Sequence, residues 1–370
     1  MVSIGFVYFC SVIKNNYELQ NDGTMKNILS KRTFIVLPLF LFSLHPLWGQ
    51  KSNFKNDICI PGKLYMLSDI RNDVFVEALI KRWRPYNDFV RFSGDCVYSR
   101  KLNRVASVDT PVDGSNMKIE LVNSDEFEII KEKAISICVG KKGIGTQEVT
   151  VQILGDSFVN GAFFRDALLS KNYIPGIKLV GLRNIKNEEG QYDEGRGGWT
   201  VKKYFEIPKG EMTSYHGYMQ PVGEYRYWGS CEFWKNCYKV INGELTDTEI
   251  VYNCGRYDQC ITKFDKETGY LAAPKKNDLM YDNARGSYMV YTEKKWKNVE
   301  VDERKWAFNY RKYLDMWNLD APKFFAQMLG LNDYRDSLTA DYREWNKKIA
   351  EMKESYYKAV PDGKFIILIP

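Results

Sequence analysis

Hydrophobic and polar positions follow different periods along the chain. From about Lys51 to Gln147, short runs such as KLYML, NRVASVD, MKIELVN and AISICVG are separated by turn residues, PVDGSN among them. Apolar runs of roughly four to eight residues bounded by Gly, Pro, Asn and Asp predict strands. Residues 51–147 therefore read as a small β-sandwich-like domain, with one helix in DVFVEALIKRW. The character changes at Glu148. EVTVQIL predicts a short strand, GDS follows it, NGAFFRDALLSK predicts a helix and IKLVGL the next strand, the opening of an α/β sheet.

The alternation returns near the C-terminus. DERKWAFNYRKYLDMWN places Trp306, Tyr310, Tyr313, Leu314 and Trp317 at helical spacing, and KFFAQMLG reads as a buried strand. Leu338, Tyr342, Trp345, Ile349, Met352 and Tyr356 then form one apolar helical stripe. GKFIILI is apolar throughout, as expected of a parallel strand covered on both faces. Between these stretches, residues 207–300 carry Tyr215, Tyr218, Tyr225, Tyr227, Trp228, Phe233, Trp234, Tyr238, Tyr252 and Tyr257 without a regular period. This predicts an irregular insertion, either shaping substrate access or burying its own aromatics.

Charge narrows the functional classes. The 370 residues include 53 Lys plus Arg and 47 Asp plus Glu, a net charge of +6. No basic block accompanies it, so nucleic acid is not an expected partner. Residues 26–49, KNILSKRTFIVLPLFLFSLHPLWG, join a basic start to an apolar run too short to span a bilayer. They predict a signal peptide at 25–49, a secreted or periplasmic protein without stable membrane insertion after cleavage, and a mis-assigned start over residues 1–24. Seven of the eight cysteines, Cys59, Cys96, Cys138, Cys231, Cys237, Cys254 and Cys260, would remain. Export favours disulfides over zinc, and their pairing stays open. No cofactor or metal is implied.

The chemistry-bearing motif is LGDSFVNGAF, residues 154–163, which sets Ser157 between a strand and a helix. EGRGGWTVKKY supplies a glycine-rich turn ending at Gly198, and MLGLNDYRD puts Gly330, Asn332 and Asp333 after a further strand. These separated blocks resemble the SGNH hydrolase, or GDSL-like esterase, superfamily over residues 148–370. Gly155, Asp156 and Ser157 match its nucleophile block, Gly198 its glycine block, and Gly330, Asn332 and Asp333 its GxND block. The pattern also resembles secreted multi-domain members from polysaccharide-degrading bacteria. The resemblance implies a flavodoxin-like parallel sheet, with Ser157 as nucleophile and an oxyanion hole formed by Ser157, Gly198 and Asn332. Asp156 and Asp333 would anchor their loops.

One element of the family pattern is missing. Its general base is a histidine in a D-x-x-H block after the last strand, whereas this chain has two histidines and none beyond His216. His216 lies in the insertion, where a surface or substrate-contact role is expected. The simplest expectation is a catalytic domain incomplete at its C-terminus. The sequence thus predicts a secreted serine esterase removing acyl groups, acetyl among them, from a small-molecule or polysaccharide substrate. The competing expectation is a catalytically inactive carbohydrate-binding or structural protein.

Overall fold

The computed structural model describes residues 57–58, 62–68, 71–75, 79–81, 88–95, 97–100, 105–140, 148–170, 176–183, 192–210, 214–246, 257–334 and 342–368. The predicted signal segment, Cys59, Cys96, Cys254 and Leu338 lie outside the described residues. Two compact units are distinguished, one within residues 7–141 and one within 142–370.

The first unit contains strands β1 (Asp57–Ile58), β2 (Lys63–Leu67), β3 (Asn72–Phe75), β4 (Ile80–Lys81), β5 (Asp88–Ser93), β6 (Val97–Arg100), β7 (Val105–Val108), β8 (Asn116–Asn123) and β9 (Ile129–Gly140). They form sheets β2-β9-β8-β5 and β3-β7-β6 with a small β1-β4 pair. Inward residues of the two larger sheets, among them Leu64, Val74, Val90, Ala106, Met117, Ile119 and Ile135, build one core. Where DVFVEALIKRW is expected to form a helix, Asp73–Phe75 lie in strand β3 and Ile80–Lys81 in strand β4, and residues 76–78 and 82–83 lie outside the described residues. Asn72 fixes the entry into β3. Its amide accepts from Leu67 N and donates to Leu67 O, both at 3.0 Å, closing the β2–β3 turn and committing the next residues to extended backbone.

The second unit begins with β10 (Val149–Gly155), the short helix α1 (Ser157–Asn160), α2 (Phe163–Ser170), β11 (Ile177–Leu179), β12 (Glu194–Gly195) and a 3-10 turn at Lys202–Phe205. Next come β13 (Met219–Pro221), β14 (Arg226–Ser230), α3 (Cys231–Ile241), α4 (Asp258–Ile261), β15 (Asp278–Asp282), β16 (Ser287–Tyr291) and β17 (Trp296–Val299). The unit ends with β18 (Trp306–Phe308), α5 (Tyr310–Trp317), β19 (Phe324–Met328), α6 (Leu331–Tyr334), α7 (Tyr342–Ala359) and β20 (Lys364–Ile367). One sheet is wholly parallel, ordered β11-β10-β19-β20 with β12 also on β10.

This architecture overturns the expected flavodoxin-like α/β fold. The described residues form six sheets, and five of them contain antiparallel pairs. Within the parallel sheet, β11 and β12 are only three and two residues long. The stretch expected to be irregular contributes β13, which pairs with β18, and the mixed sheet β14-β15-β16-β17. Its helix α3 is capped by Ser230, whose hydroxyl accepts from Phe233 N at 3.2 Å.

Aromatic packing explains why that segment orders. Tyr215, Tyr218, Tyr227, Phe233, Trp234 and Tyr257 are buried in one core with residues of α5, α7 and β19. Tyr218 stacks on Phe308 and Tyr313 with centroids 4.8 and 4.1 Å apart, and Trp234 stacks on Phe264 at 3.8 Å. Lys312 fastens the β13–β14 turn by donating to the carbonyls of Pro221, Gly223 and Tyr225 at 2.8, 2.6 and 2.7 Å. Three carbonyls use all three ammonium hydrogens. No helix among the described residues is long and apolar enough to cross a membrane.

Candidate active site

Ser157 opens α1 at the carboxyl end of β10, where the apolar strand stops and a polar turn begins. Asp156 makes this break: its carboxylate accepts from Phe158 N at 3.1 Å, capping the helix. Asp156 is buried while Ser157 is exposed. Gly155 is required by packing, since a Cβ there would press on Val159 and lie 2.8 Å from the Met328 carbonyl of β19.

The other two blocks reach the same edge. Gly198 has a φ of +70°, a left-handed turn suited to glycine, and Gly330 has a φ of +138°. Asn332, on α6, donates through Nδ2 to the Trp199 carbonyl at 3.1 Å, and its contact to the Asp156 carboxylate is longer, 3.4 Å. The Asp333 carboxylate accepts from Val201 N at 3.1 Å. Segments around residues 156, 199 and 332 are therefore tied together by side chains of the expected site. Burial raises the pKa of both Asp156 and Asp333 above the usual carboxylate value, and the Asp333 charge adds to the effect at Asp156. Both carboxylates bind backbone amides, a loop-anchoring geometry.

Beneath this edge lies a buried polar network that the motif reading passed over. Glu194 accepts from Leu182 N at 2.8 Å and from the Tyr313 hydroxyl at 2.5 Å. Its other oxygen pairs with Arg196 at 2.7 Å, both side chains being essentially inaccessible. Arg196 also donates to Ser214 Oγ at 3.2 Å, the Tyr215 carbonyl at 3.1 Å and Tyr257 Oη at 3.2 Å. Its guanidinium lies over Trp199 and Tyr204. Tyr204 Oη is 2.8 and 2.7 Å from the carbonyls of Gly155 and Glu194, holding β10 and β12 at their ends. Gln152 joins them from below, accepting from Tyr310 and Tyr218 and donating to Tyr313. The available signal was the pair of opposite charges flanking Gly195 in EGRGG. Gly195 itself has no room for a Cβ, which would collide with the Asn160 backbone.

His216 is neither a free base nor at the surface as expected. It is buried, with Nδ1 accepting from Tyr218 N at 3.1 Å and Nε2 facing the Glu206 carbonyl at 3.2 Å. That arrangement requires the hydrogen on Nε2. Trp199 packs edge-on against the ring at 5.7 Å. Burial, reinforced by the Arg196 charge, lowers its pKa to about 3. The unfolded chain, titrating near 6.5, therefore takes up the proton first. His216 contributes its full stability above about pH 6.5 and loses it as pH falls toward 3. Between pH 6.5 and 4.5 the loss should reach about 2–3 kcal/mol. Urea unfolding of wild type and His216→Gln across this range measures the difference in slope. Buried Asp193, with its pKa raised to about 7, acts in the opposite sense but is common to both proteins.

Cys138 and Cys231 are unbridged thiols. Burial, with Asp282 nearby, pushes the Cys231 thiol up to about 12, so it stays protonated. No group of three or more His, Cys, Asp or Glu side chains among the described residues is placed to hold a metal.

No protein-family model and no curated protein matches the chain. Among solved structures, the crystal structure of a candidate alpha-galactosidase from Bacteroides fragilis matches at 13% identity and a TM-score of 0.21. The match covers 40% of this chain and 34% of that one. A score this low establishes neither a shared fold nor a shared activity.

Proposed function

We propose that the chain is a serine esterase, exported from the cell, that removes acyl groups such as acetyl from a carbohydrate. Ser157 Oγ would attack the ester carbonyl, the alcohol would leave, and water would release the acyl group from the serine. The N–H groups of Ser157 and Gly198 and the Asn332 amide would receive the developing oxyanion. The observation supporting this reading is the position of Asn332, bonded to the Trp199 carbonyl next to Gly198 and in contact with Asp156 next to Ser157. Its long contact to Asp156 is the weaker of the two and the one an oxyanion would replace.

A second reading, an inactive carbohydrate-binding protein on the same scaffold, is favoured by His216. Both its nitrogens are engaged with backbone groups, and no other imidazole occurs among the described residues to take the Ser157 proton. Steady-state hydrolysis of p-nitrophenyl acetate distinguishes the two. The esterase reading expects turnover above the buffer blank, and Asn332→Ala should reduce kcat about 10²–10³-fold while costing about 1 kcal/mol of stability. Turnover equal to the blank would leave the inactive reading.

A further inference from the structure

The fold joins two groups of lysines that the chain keeps apart. Lys275 and Lys276 precede β15, Lys294 and Lys295 lie in the β16–β17 turn, and Lys297 is on β17; all are exposed. Loop and hairpin are fastened together: Asn277 N donates to the Tyr291 carbonyl at 3.0 Å, and Lys276 pairs with Glu293 at 3.5 Å. Trp296 supports the hairpin from beneath, packing on the core and on Tyr270 with centroids 4.9 Å apart. The accessible surface is therefore made by the ammonium groups. Among them, Glu293 is taken by Lys276, Glu224 accepts from Asn277 at 2.9 Å, and Asp278 is buried against Arg226 at 2.9 Å. The lysines and Arg226 outnumber these carboxylates, which leaves a positive surplus at one end of the β14–β17 sheet. Protection of a free edge explains only part of it. β17 is the last strand of its sheet, and a lysine there deters pairing with another chain. That accounts for Lys297 and, at its entry, Lys295. Lys275 and Lys276 lead into β15, an interior strand, and have no edge to guard.

We infer that this end of the β14–β17 sheet binds an acidic polysaccharide, its ammonium groups pairing with carboxylates spaced along the polymer. A concentrated positive surface draws a polyanion by complementary charge. Other polyanions fit it less well. The guanidinium of Arg226 is bonded to Asp278 and to the Lys276 carbonyl, so the cluster keeps no free fork for the bidentate phosphate contacts of a nucleic acid. None of the exposed large apolar side chains falls within residues 270–300, so no wedge enters a bilayer beside charged headgroups. Asn298, exposed next to Lys297, offers an amide to sugar hydroxyls.

The inference gives a charge to the carbohydrate of the proposed function and rests on that reading for its class of ligand, while the surface itself does not involve Ser157. Interferometry of the full chain on immobilised alginate or carboxymethyl cellulose tests it, with hydroxyethyl cellulose as the neutral polymer of the same backbone. The wild type should bind both acidic polymers and not the neutral one. Lys294→Gln, Lys295→Gln and Lys297→Gln together should raise Kd about tenfold, and Lys275→Gln with Lys276→Gln should also weaken binding. Lys323→Gln, Lys347→Gln and Lys358→Gln remove the same charge from exposed positions on β19 and α7 or at their ends, and this variant should bind within about twofold of wild type. Thermal melts establish that each variant is folded. Ser157→Ala should bind as wild type, and the hairpin variant should turn over p-nitrophenyl acetate as wild type does, so either reading can fail while the other stands. The inference is overturned if neither acidic polymer binds, if hydroxyethyl cellulose binds equally, or if the two triple variants are weakened equally. Tighter binding of duplex DNA or of phosphatidylserine vesicles than of the acidic polymers would overturn it as well.

Discussion

Ser157→Ala should abolish hydrolysis of short acyl esters, lowering turnover by at least about 10⁴-fold if the serine forms the covalent intermediate. The substitution removes the hydroxyl proposed to carry the acyl group and little else. Ser157 is exposed, its helix is capped by Asp156, and no cavity is opened by the change. Stability should stay within about 0.5 kcal/mol of wild type. Urea denaturation alongside the p-nitrophenyl acetate assay therefore separates a chemical effect from a folding one. A variant retaining turnover within tenfold of wild type would remove Ser157 from the mechanism and place any activity elsewhere.

Arg196→Met should destabilise the second unit by about 3–5 kcal/mol, the cost of stranding one member of a buried ion pair. Glu194 would keep its bonds from Leu182 and Tyr313 but lose the cation that offsets its burial. The Tyr215 carbonyl and the Tyr257 and Ser214 hydroxyls would lose a shared donor. The carboxylate is the main source of the cost. Glu194→Gln with Arg196→Met together should be less destabilising than the sum of the single changes, which a double-mutant cycle in urea would measure. Strict additivity would show that the two side chains act independently. Because Arg196 lies over Trp199, whose carbonyl receives Asn332, the single variant should also lose the proposed p-nitrophenyl acetate turnover while still folded.

The elements visible in the sequence are those with a pattern carried by their own residues. EVTVQIL and KFFAQMLG are apolar because their strands, β10 and β19, are buried along most of their length, and GKFIILI became β20, last in the strand order, with Phe365 buried and Ile366 and Ile367 half-buried. The stripe through Ile349, Met352 and Tyr356 became the buried side of α7, supported by Glu354–Lys358 pairing on its outer face. The segment DVFVEALIKRW has apolar spacing compatible with either period, and the bonds of Asn72 to Leu67 hold its first three residues in β3. The insertion was illegible for another reason. Its strands and helices are stabilised by rings from distant parts of the chain, Trp234 on Phe264 and Tyr218 on Tyr313, and no local window contains both partners.

The candidate site was legible at its rim and hidden beneath. Ser157, Gly198 and Asn332 stand in motifs whose glycines and polar residues break the surrounding apolar runs. Glu194, Arg196, Tyr204 and Gln152 are polar residues in the interior, and only the three-dimensional neighbourhood shows that each has partners. His216 illustrates the same limit in reverse: a scarce residue type drew a functional reading, and its burial gives it a structural one.

The contact between Asn332 and Asp156 joins residues 176 positions apart, and Gln152 meets Tyr313 across 161. Closing such loops costs conformational entropy that nearby contacts must first offset, and chains rich in distant pairings fold slowly. The sheet β14–β17 lies within that span, so it can form before the ends of the span meet. The rim around Ser157 is then assembled late, and a proteolytic cut anywhere in the insertion that separates the pieces would dismantle it. In kinetic terms, Ser157 comes early in the second unit but belongs to a surface that exists only after nearly all of that unit has been made.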